Sequence, residues 1–191
     1  MKIIFATHNQ NKLIEIQASL GHAFELVSLS QIGFNEDIVE SADSFEGNAL
    51  IKAKTIFDKY KIPCFADDSG LEVEALNGEP GVYSARYAGE PKDDKQNYEK
   101  LLKNLEDNNN RQANFKTVIA FVDKNGHYFF EGQIHGEILI EPKGNNGFGY
   151  DPVFQPHGYE KSFAEMTLSE KKEISHRALA FKKFISFLNE K

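Results

Sequence analysis

The sequence predicts an α/β fold, a central sheet with flanking helices, from three observations. The chain opens as strand, loop and helix; an amphipathic helix ending at Pro63 feeds a buried strand; and an Asn-Gly turn joins two strands of a later meander. Ile3 to Ala6 form the first apolar run, Thr7 to Lys12 a polar loop, and Leu13, Ile16 and Leu20 a helical face ending near Gly21. Glu25 to Leu29 read as a second strand and Asn35 to Asp43 as an acidic loop. Asp43 and Glu46 have capping-box spacing ahead of a helix whose apolar face is Phe45, Ala49, Ala53, Ile56, Phe57 and Tyr60. Cys64-Phe65-Ala66 is the buried strand. It runs into Asp67-Asp68-Ser69-Gly70, placing the acids where the strand is expected to end, before Leu71 to Leu76 resume an alternating pattern.

The second half starts with a helix over residues 91–107 and the polar loop Asn108-Asn109-Asn110. Asn114 to Asp123 and His127 to Gln133 flank the turn Lys124-Asn125-Gly126, and Ile134 to Ile140 extend the meander. A Gly-rich loop from Gly144 to Pro152 leads to a short strand around Val153-Phe154. Thr167 with Glu170 caps one final helix, with Ile174, Ala178, Phe181, Ile185 and Leu188 at a 3.6-residue period. There is no internal repeat or flexible linker, so residues 1–191 are read as a single domain, with one sheet that two lobes could share.

Composition narrows the function classes. A chain of 191 residues with 40% hydrophobic content and 16 Phe can build a core without disulfides, and its one cysteine, Cys64, allows no intrachain bridge. A reducing cytoplasm fits. No stretch approaches the ~18 apolar residues of a spanning helix, and Ile3 to Ala6 is too short for a signal-peptide core. The net charge of −7 argues against nucleic-acid and membrane partners. That charge is unevenly spread: residues 36–94 hold 14 acids against 6 bases, whereas residues 160–191 hold 7 bases against 5 acids. An acidic middle with a basic tail suits a metal ion and an anionic ligand together.

Five segments could carry chemistry. Adjacent Asp67 and Asp68 project differently, so one can hold a hard cation such as Mg²⁺ while the other handles a proton; an Asx turn closing the strand would use the same residues. Thr7 to Lys12 offers hydroxyl, amide, ammonium and helix N-terminal donors to an anion, without the P-loop pattern. Asn48 and Lys52 stand one helical turn apart, as an ordinary solvated face would. The Gly144-x-x-Gly147-x-Gly149 loop precedes Asp151-Pro152 rather than a helix, which rejects a dinucleotide fingerprint. It presents Phe148 and Tyr150 either to a planar base or to the core. Ser175-His176-Arg177 lies within the last predicted helix, with Lys171 and Arg177 on opposite flanks of its apolar stripe.

Read in order, these segments resemble the inosine/xanthosine triphosphate pyrophosphatase family, also called Ham1-like. The resemblance rests on Ala6-Thr7-His8-Asn9-Gln10-Asn11-Lys12, Glu40 with Ser44 to Ala53, Ala66 to Leu71, Gly78 to Gly89, Gly147 to Pro152, and Ser175-His176-Arg177. It implies Mg²⁺-dependent hydrolysis of deaminated purine nucleoside triphosphates (ITP, dITP and XTP) to the monophosphate and pyrophosphate, which cleanses the nucleotide pool. It also implies an elongated mixed sheet with two lobes around a cleft, and a homodimer. Carried over by residue, it makes Asp68 the general base, and Glu40 and Asp68 metal ligands with Asp67 assisting. Thr7, His8, Asn9, Gln10, Asn11, Lys12, Lys52 and Ser69 hold phosphates. Phe148 stacks on the base, while Gly149, Tyr150, Asp151, Lys171, His176 and Arg177 close around base and sugar. Donors such as Arg177 or backbone N–H groups would select a 6-oxo purine over adenine. Two other readings compete. An aspartyl-nucleophile phosphomonoesterase would need Asp-x-Asp spacing, which is absent, and a nucleotide- or RNA-binding module would bind without turnover.

Overall fold

A computed structural model describes residues 2–17 and 24–190. The expected helix positions Leu20 and Gly21 lie outside these. The described strands form one six-stranded sheet, ordered β2-β1-β3-β4-β5-β6. They are β1 Lys2–Phe5, β2 Glu25–Ser28, β3 Cys64–Val73, β4 Gln112–Asp123, β5 Gly126–Ile138 and β6 Phe154–Pro156. The helices are α1 Gln10–Gln17, α2 Phe45–Tyr60, α3 Asp94–Asn104, α4 Leu168–Ile174 and α5 His176–Asn189. β1 pairs in parallel with β2 and β3, and β5 pairs antiparallel with β6, so the sheet is mixed. The chain divides into two compact units. One holds residues up to Asp68 with Thr117–Gly132 and Arg177 onward; the other holds Ser69–Lys116 and Gln133–His176.

In the first unit both faces of the sheet are covered, which explains its continuous apolar strands. Side chains alternate along a strand. Ile4, Ala6, Cys64, Ala66, Ala120 and Val122 therefore meet Ala49, Ala53 and Ile56 of α2 on one side. Ile3, Phe5, Phe65, Ile119 and Phe121 meet Leu13 and Ile16 of α1 and Ala180, Phe181 and Phe184 of α5 on the other. Phenylalanines fill that second layer: Phe65 stacks on Phe5 at 4.5 Å and lies 4.9 Å from Phe184.

The second unit covers one sheet face only. Leu71, Val73, Ala113, Phe115, Ile138 and Phe154 pack with Leu101 and Leu105 around α3. Their strand neighbours form a polar opposite face, where the Asn114 amide donates to Glu72 and Gln133. This alternation is that of a half-solvated sheet.

Four local expectations are corrected. β3 does not stop at Ala66 but runs unbroken through Asp67, Asp68, Ser69 and Gly70. Both acids find partners in place, so the strand has no need to break and solvate them. The cap of α2 is Ser44 rather than Asp43: its Oγ accepts from Gly47 N at 3.2 Å. A Cβ on Gly47 would lie 2.5 Å from the Ala42 Cβ, so only glycine lets the incoming loop lie against the helix. α3 starts at Asp94, capped by Asp93, later than the expected residue 91. The final helix is two helices. Thr167 and Glu170 form the expected capping box, but Ser175 is extended, with φ −66° and ψ 149°. The single apolar stripe serves two cores, Ile174 packing in the second unit and Phe181 and Leu188 in the first.

Candidate active site

Because β3 continues through its acids, Asp67 and Asp68 point to opposite faces of the sheet. Asp67 follows Phe65 toward α1 and α5, and Asp68 follows Cys64 and Ala66 toward α2.

On the first face, Asp67 Oδ2 lies 2.9 Å from Lys12 Nζ and 3.3 Å from Arg177 Nε. Arg177 also pairs through its terminal nitrogen with Glu15, one turn beyond Lys12 on α1. Asp67 and Arg177 are each only 3% exposed. Burial pushes the Asp67 carboxyl up, but Lys12, Arg177 and Lys52 together outweigh it and hold the group well below the usual carboxylate range. Burial lowers the Lys12 ammonium, more than Asp67 restores it. For Arg177 burial acts downward, and Glu15 and Asp67 reverse it, so the guanidinium stays charged.

On the opposite face, Asp68 Oδ2 accepts from the Asn48 amide at 3.2 Å and its Oδ1 lies 3.8 Å from Lys52 Nζ. The same ammonium lies 3.2 Å from Glu40. Asn48 Oδ1 accepts from Ala42 N at 2.9 Å, so one amide links the loop carrying Glu40 to Asp68 and fixes its own orientation. Burial raises the Asp68 carboxyl above its ordinary value; Lys52 and Lys12 oppose this without cancelling it, and Glu40 adds to it. Asn48 and Lys52 thus depart from the solvated helix face that their spacing suggests: Asn48 is buried and Lys52 is largely covered. The signal was Asp68 on the adjoining strand, invisible without the strand–helix packing.

The Thr7–Lys12 segment is organised by its own side chains. Thr7 Oγ1 accepts from Asn9 N, and Asn9 Oδ1 accepts from Asn11 N and Lys12 N, capping α1. His8 and Gln10 are exposed, and the His8 ring makes a hydrogen bond to the Glu36 carbonyl. Ser69 is half-buried, next to Asp68 on β3.

In the second unit, Asp151 Oδ2 accepts from Phe148 N at 2.8 Å and from Lys171 Nζ at 2.7 Å. The Lys171 ammonium lies 5.1 Å from the centre of the Phe148 ring, within cation–π range. Gly147 has φ +76°, and a Cβ there would lie 2.0 Å from Asp151 Oδ2, so the loop requires glycine at this point. Gly149 N donates to Asp94. The two loop aromatics separate: Phe148 stays partly exposed, whereas Tyr150 is buried and its hydroxyl donates to the Ser84 carbonyl at 2.8 Å. Tyr150 is therefore a core residue that supports the loop, and burial raises its phenol. The His176 ring is buried and stacks on Phe115 at 4.6 Å.

The Ham1 family profile matches residues 3–187, nearly the whole chain. This chain belongs to the Ham1 family. Among its Ham1 relatives, a dITP/XTP pyrophosphatase of Christiangramia forsetii is 53% identical over 190 residues, covering 100% of both chains. One of Flavobacterium psychrophilum, with the same description, is 51% identical over 187 residues, 98% of each chain. The solved structure of the Staphylococcus aureus Ham1 protein superposes with a TM-score of 0.92 at 38% identity, covering 100% of this chain and 99% of that one. The family resemblance read from the six segments is thus borne out, and so is the α/β class.

Sequence reasoning missed Glu15 and Asp94. Glu15 carried a signal, an acid one turn beyond Lys12 on α1. Asp94 carried none, because its partner Gly149 is 55 residues away and contributes only a peptide N–H.

Proposed function

We propose that this chain hydrolyses deaminated purine nucleoside triphosphates (ITP, dITP and XTP) between the α and β phosphates, releasing the monophosphate and pyrophosphate. The observation that carries this is the division of labour at β3: on one face Asp68 meets Asn48 and shares the Lys52 ammonium with Glu40, and on the other Asp67 is paired with Lys12 and Arg177. The names of the relatives support the substrate class.

Asp68 is the base. A carboxylate whose proton affinity is raised accepts a proton from water more readily than an ordinary one. Water attacks the α phosphorus, the bond to the bridging oxygen breaks, the water proton passes to Asp68, and pyrophosphate leaves. Asn48 holds the Asp68 carboxylate through one oxygen. Lys52, and Lys12 on α1, supply positive charge for the phosphates, with Thr7, His8, Asn9, Gln10, Asn11 and Ser69 as further polar contacts.

The donor set suits Mg²⁺. Glu40 and Asp68 both approach the Lys52 ammonium, so their oxygens converge where one cation could be shared. Mg²⁺ is typically held by one or two carboxylates with waters and substrate phosphates, and among the described residues no cluster of three or more His, Cys, Asp or Glu forms an all-protein cage. Glu40 and Asp68 would hold it, and the bound ion would neutralise charge developing on the phosphate oxygens. Asp67, occupied by Lys12 and Arg177, instead holds Lys12 in position.

Phe148 takes the base by stacking, with Lys171 and Asp151 setting its surroundings and Gly149 adjoining. His176 and Arg177 act from within packed positions, His176 against Phe115 and Arg177 between Glu15 and Asp67. Arg177 is engaged by Glu15 and Asp67, which leaves backbone N–H groups as the other donors that would read a 6-oxo group. The reading extends to a cytoplasmic homodimer without nucleic-acid or membrane partners. The family resemblance supports the dimer, the net charge of −7 opposes nucleic acid and anionic membrane surfaces, and no helix among the described residues is long and apolar enough to cross a membrane.

The deciding experiment identifies the phosphate product from ITP, XTP, dITP, ATP and GTP with Mg²⁺ and with excess chelator. Pyrophosphate from the deaminated substrates, far faster than from ATP or GTP and lost on chelation, is expected. Orthophosphate as product would favour a phosphomonoesterase, and equal rates on all five would remove the specificity.

A further inference from the structure

We propose that Asp94, on the first turn of α3, is a positioning residue that holds Phe148 in place for the purine by tethering the next peptide. This rests on the reading above that Phe148 stacks on the base.

Phe148 stands between Gly147 and Gly149, with φ +76° and +62°, so its backbone neighbours supply no side-chain restraint of their own. Glycine backbones are the most costly to order. Two consecutive peptide N–H groups are nevertheless tied down by carboxylates. Phe148 N donates to Asp151 Oδ2 at 2.8 Å, a tie local to the loop, and Gly149 N donates to Asp94 Oδ2 at 2.8 Å, a tie to a different element. The first is local to the loop, which is also held at its flanks by Asn146 N on the Ala164 carbonyl, the Tyr150 hydroxyl on the Ser84 carbonyl and the Lys171 ammonium on Asp151. The second ties the Phe148–Gly149 peptide itself to α3, whose Asn97 and Leu101 are buried. Fixing two successive peptides sets the direction of the Phe148 Cα–Cβ bond, and the Lys171 ammonium at 5.1 Å then meets a ring already in place. A ring ordered before the nucleotide arrives spares the cost of ordering it on binding.

Asp94 has a competing structural role, since an acid in the first turn stabilises a helix through its dipole. Asp94→Asn separates the two, because it removes the charge and keeps an oxygen that accepts from Gly149 N. The test measures kcat and KM for ITP, with thermal melting, on wild type, Asp94→Ala, Asp94→Asn, Phe148→Ala and the Asp94→Ala/Phe148→Ala double variant. Asp94→Ala should raise KM about 5- to 20-fold with kcat within about twofold, and Asp94→Asn should restore most of the wild-type KM. Phe148→Ala should raise KM at least as much, and the double variant should be no worse than Phe148→Ala, since both changes remove one interaction. A rise in KM for Phe148→Ala but not for Asp94→Ala overturns the tether alone. Additive losses in the double variant, or a fall in melting temperature with a parallel rise in KM in both Asp94→Ala and Asp94→Asn, do the same. An unchanged KM in Phe148→Ala overturns the stacking reading, and the tether with it.

Discussion

Asp67 and Asp68 are neighbours on one strand, yet they behave as opposite kinds of acid. Asp67 meets Lys12 and Arg177 and is held far toward its charged form; Asp68 meets an amide, one ammonium at 3.8 Å and a second carboxylate, and is pushed toward its neutral form. The strand pleat separates them, and the helices on either side determine what each encounters. A base must be able to take up a proton, which a carboxylate saturated with cations cannot do near neutral pH. The difference assigns chemistry to one face and support to the other.

The sharpest way to break this contrast is to neutralise each acid in turn. Asp68→Asn should lower the rate of pyrophosphate release by about 100-fold or more while the protein melts at or above the wild-type temperature, since a buried charge is removed. Retained turnover would remove Asp68 as base. Asp67→Asn should instead cost about 3–5 kcal/mol in urea unfolding, because the Lys12 and Arg177 cations lose a buried partner, with Glu15 left to serve Arg177. A loss below about 1 kcal/mol would show that solvent or Glu15 already balances the cluster.

Acidification should separate the two residues along one axis. Burial raises the Asp68 carboxyl in the metal-free protein, and a protonated Asp68 neither holds Mg²⁺ nor takes up a proton, so at limiting Mg²⁺ kcat/KM should fall on the acid side at a higher pH than at saturating Mg²⁺. Asp67 has a folded pKa below its unfolded one, so its contribution to stability is present above the unfolded value and is lost only as pH falls through the folded one. Activity should therefore decline before the protein unfolds, which circular dichroism and initial rates along one pH series would test. Coincident loss would contradict the assignment. A smaller effect should follow Lys52→Met: removing the cation that pulls the Asp68 pKa down should move the acid limb upward, beyond any change in KM.

Periodicity alone placed most elements, because burying one stripe of a helix or one face of a strand leaves a regular imprint. Two kinds of feature escaped it. One was local competition: Ser44 takes the cap that Asp43 could have taken, and Ser175 breaks a helix whose apolar period continues across the break. The other was long-range pairing. Asp67 with Arg177 and Gly149 with Asp94 join residues 110 and 55 positions apart, and no local pattern records them.

By itself the sequence determined the α/β class, the family, and which residue types could handle a phosphate, since these rest on composition, periodicity and motif wording. Only the tertiary structure decided that β3 runs on through its acids, that Asn48 and Lys52 of α2 face Asp68, and that Tyr150 belongs to the core while Phe148 remains partly exposed. The physical reason is that the proton affinity of a carboxyl and the exposure of a ring depend on what surrounds them. Those surroundings come from elements distant in the chain.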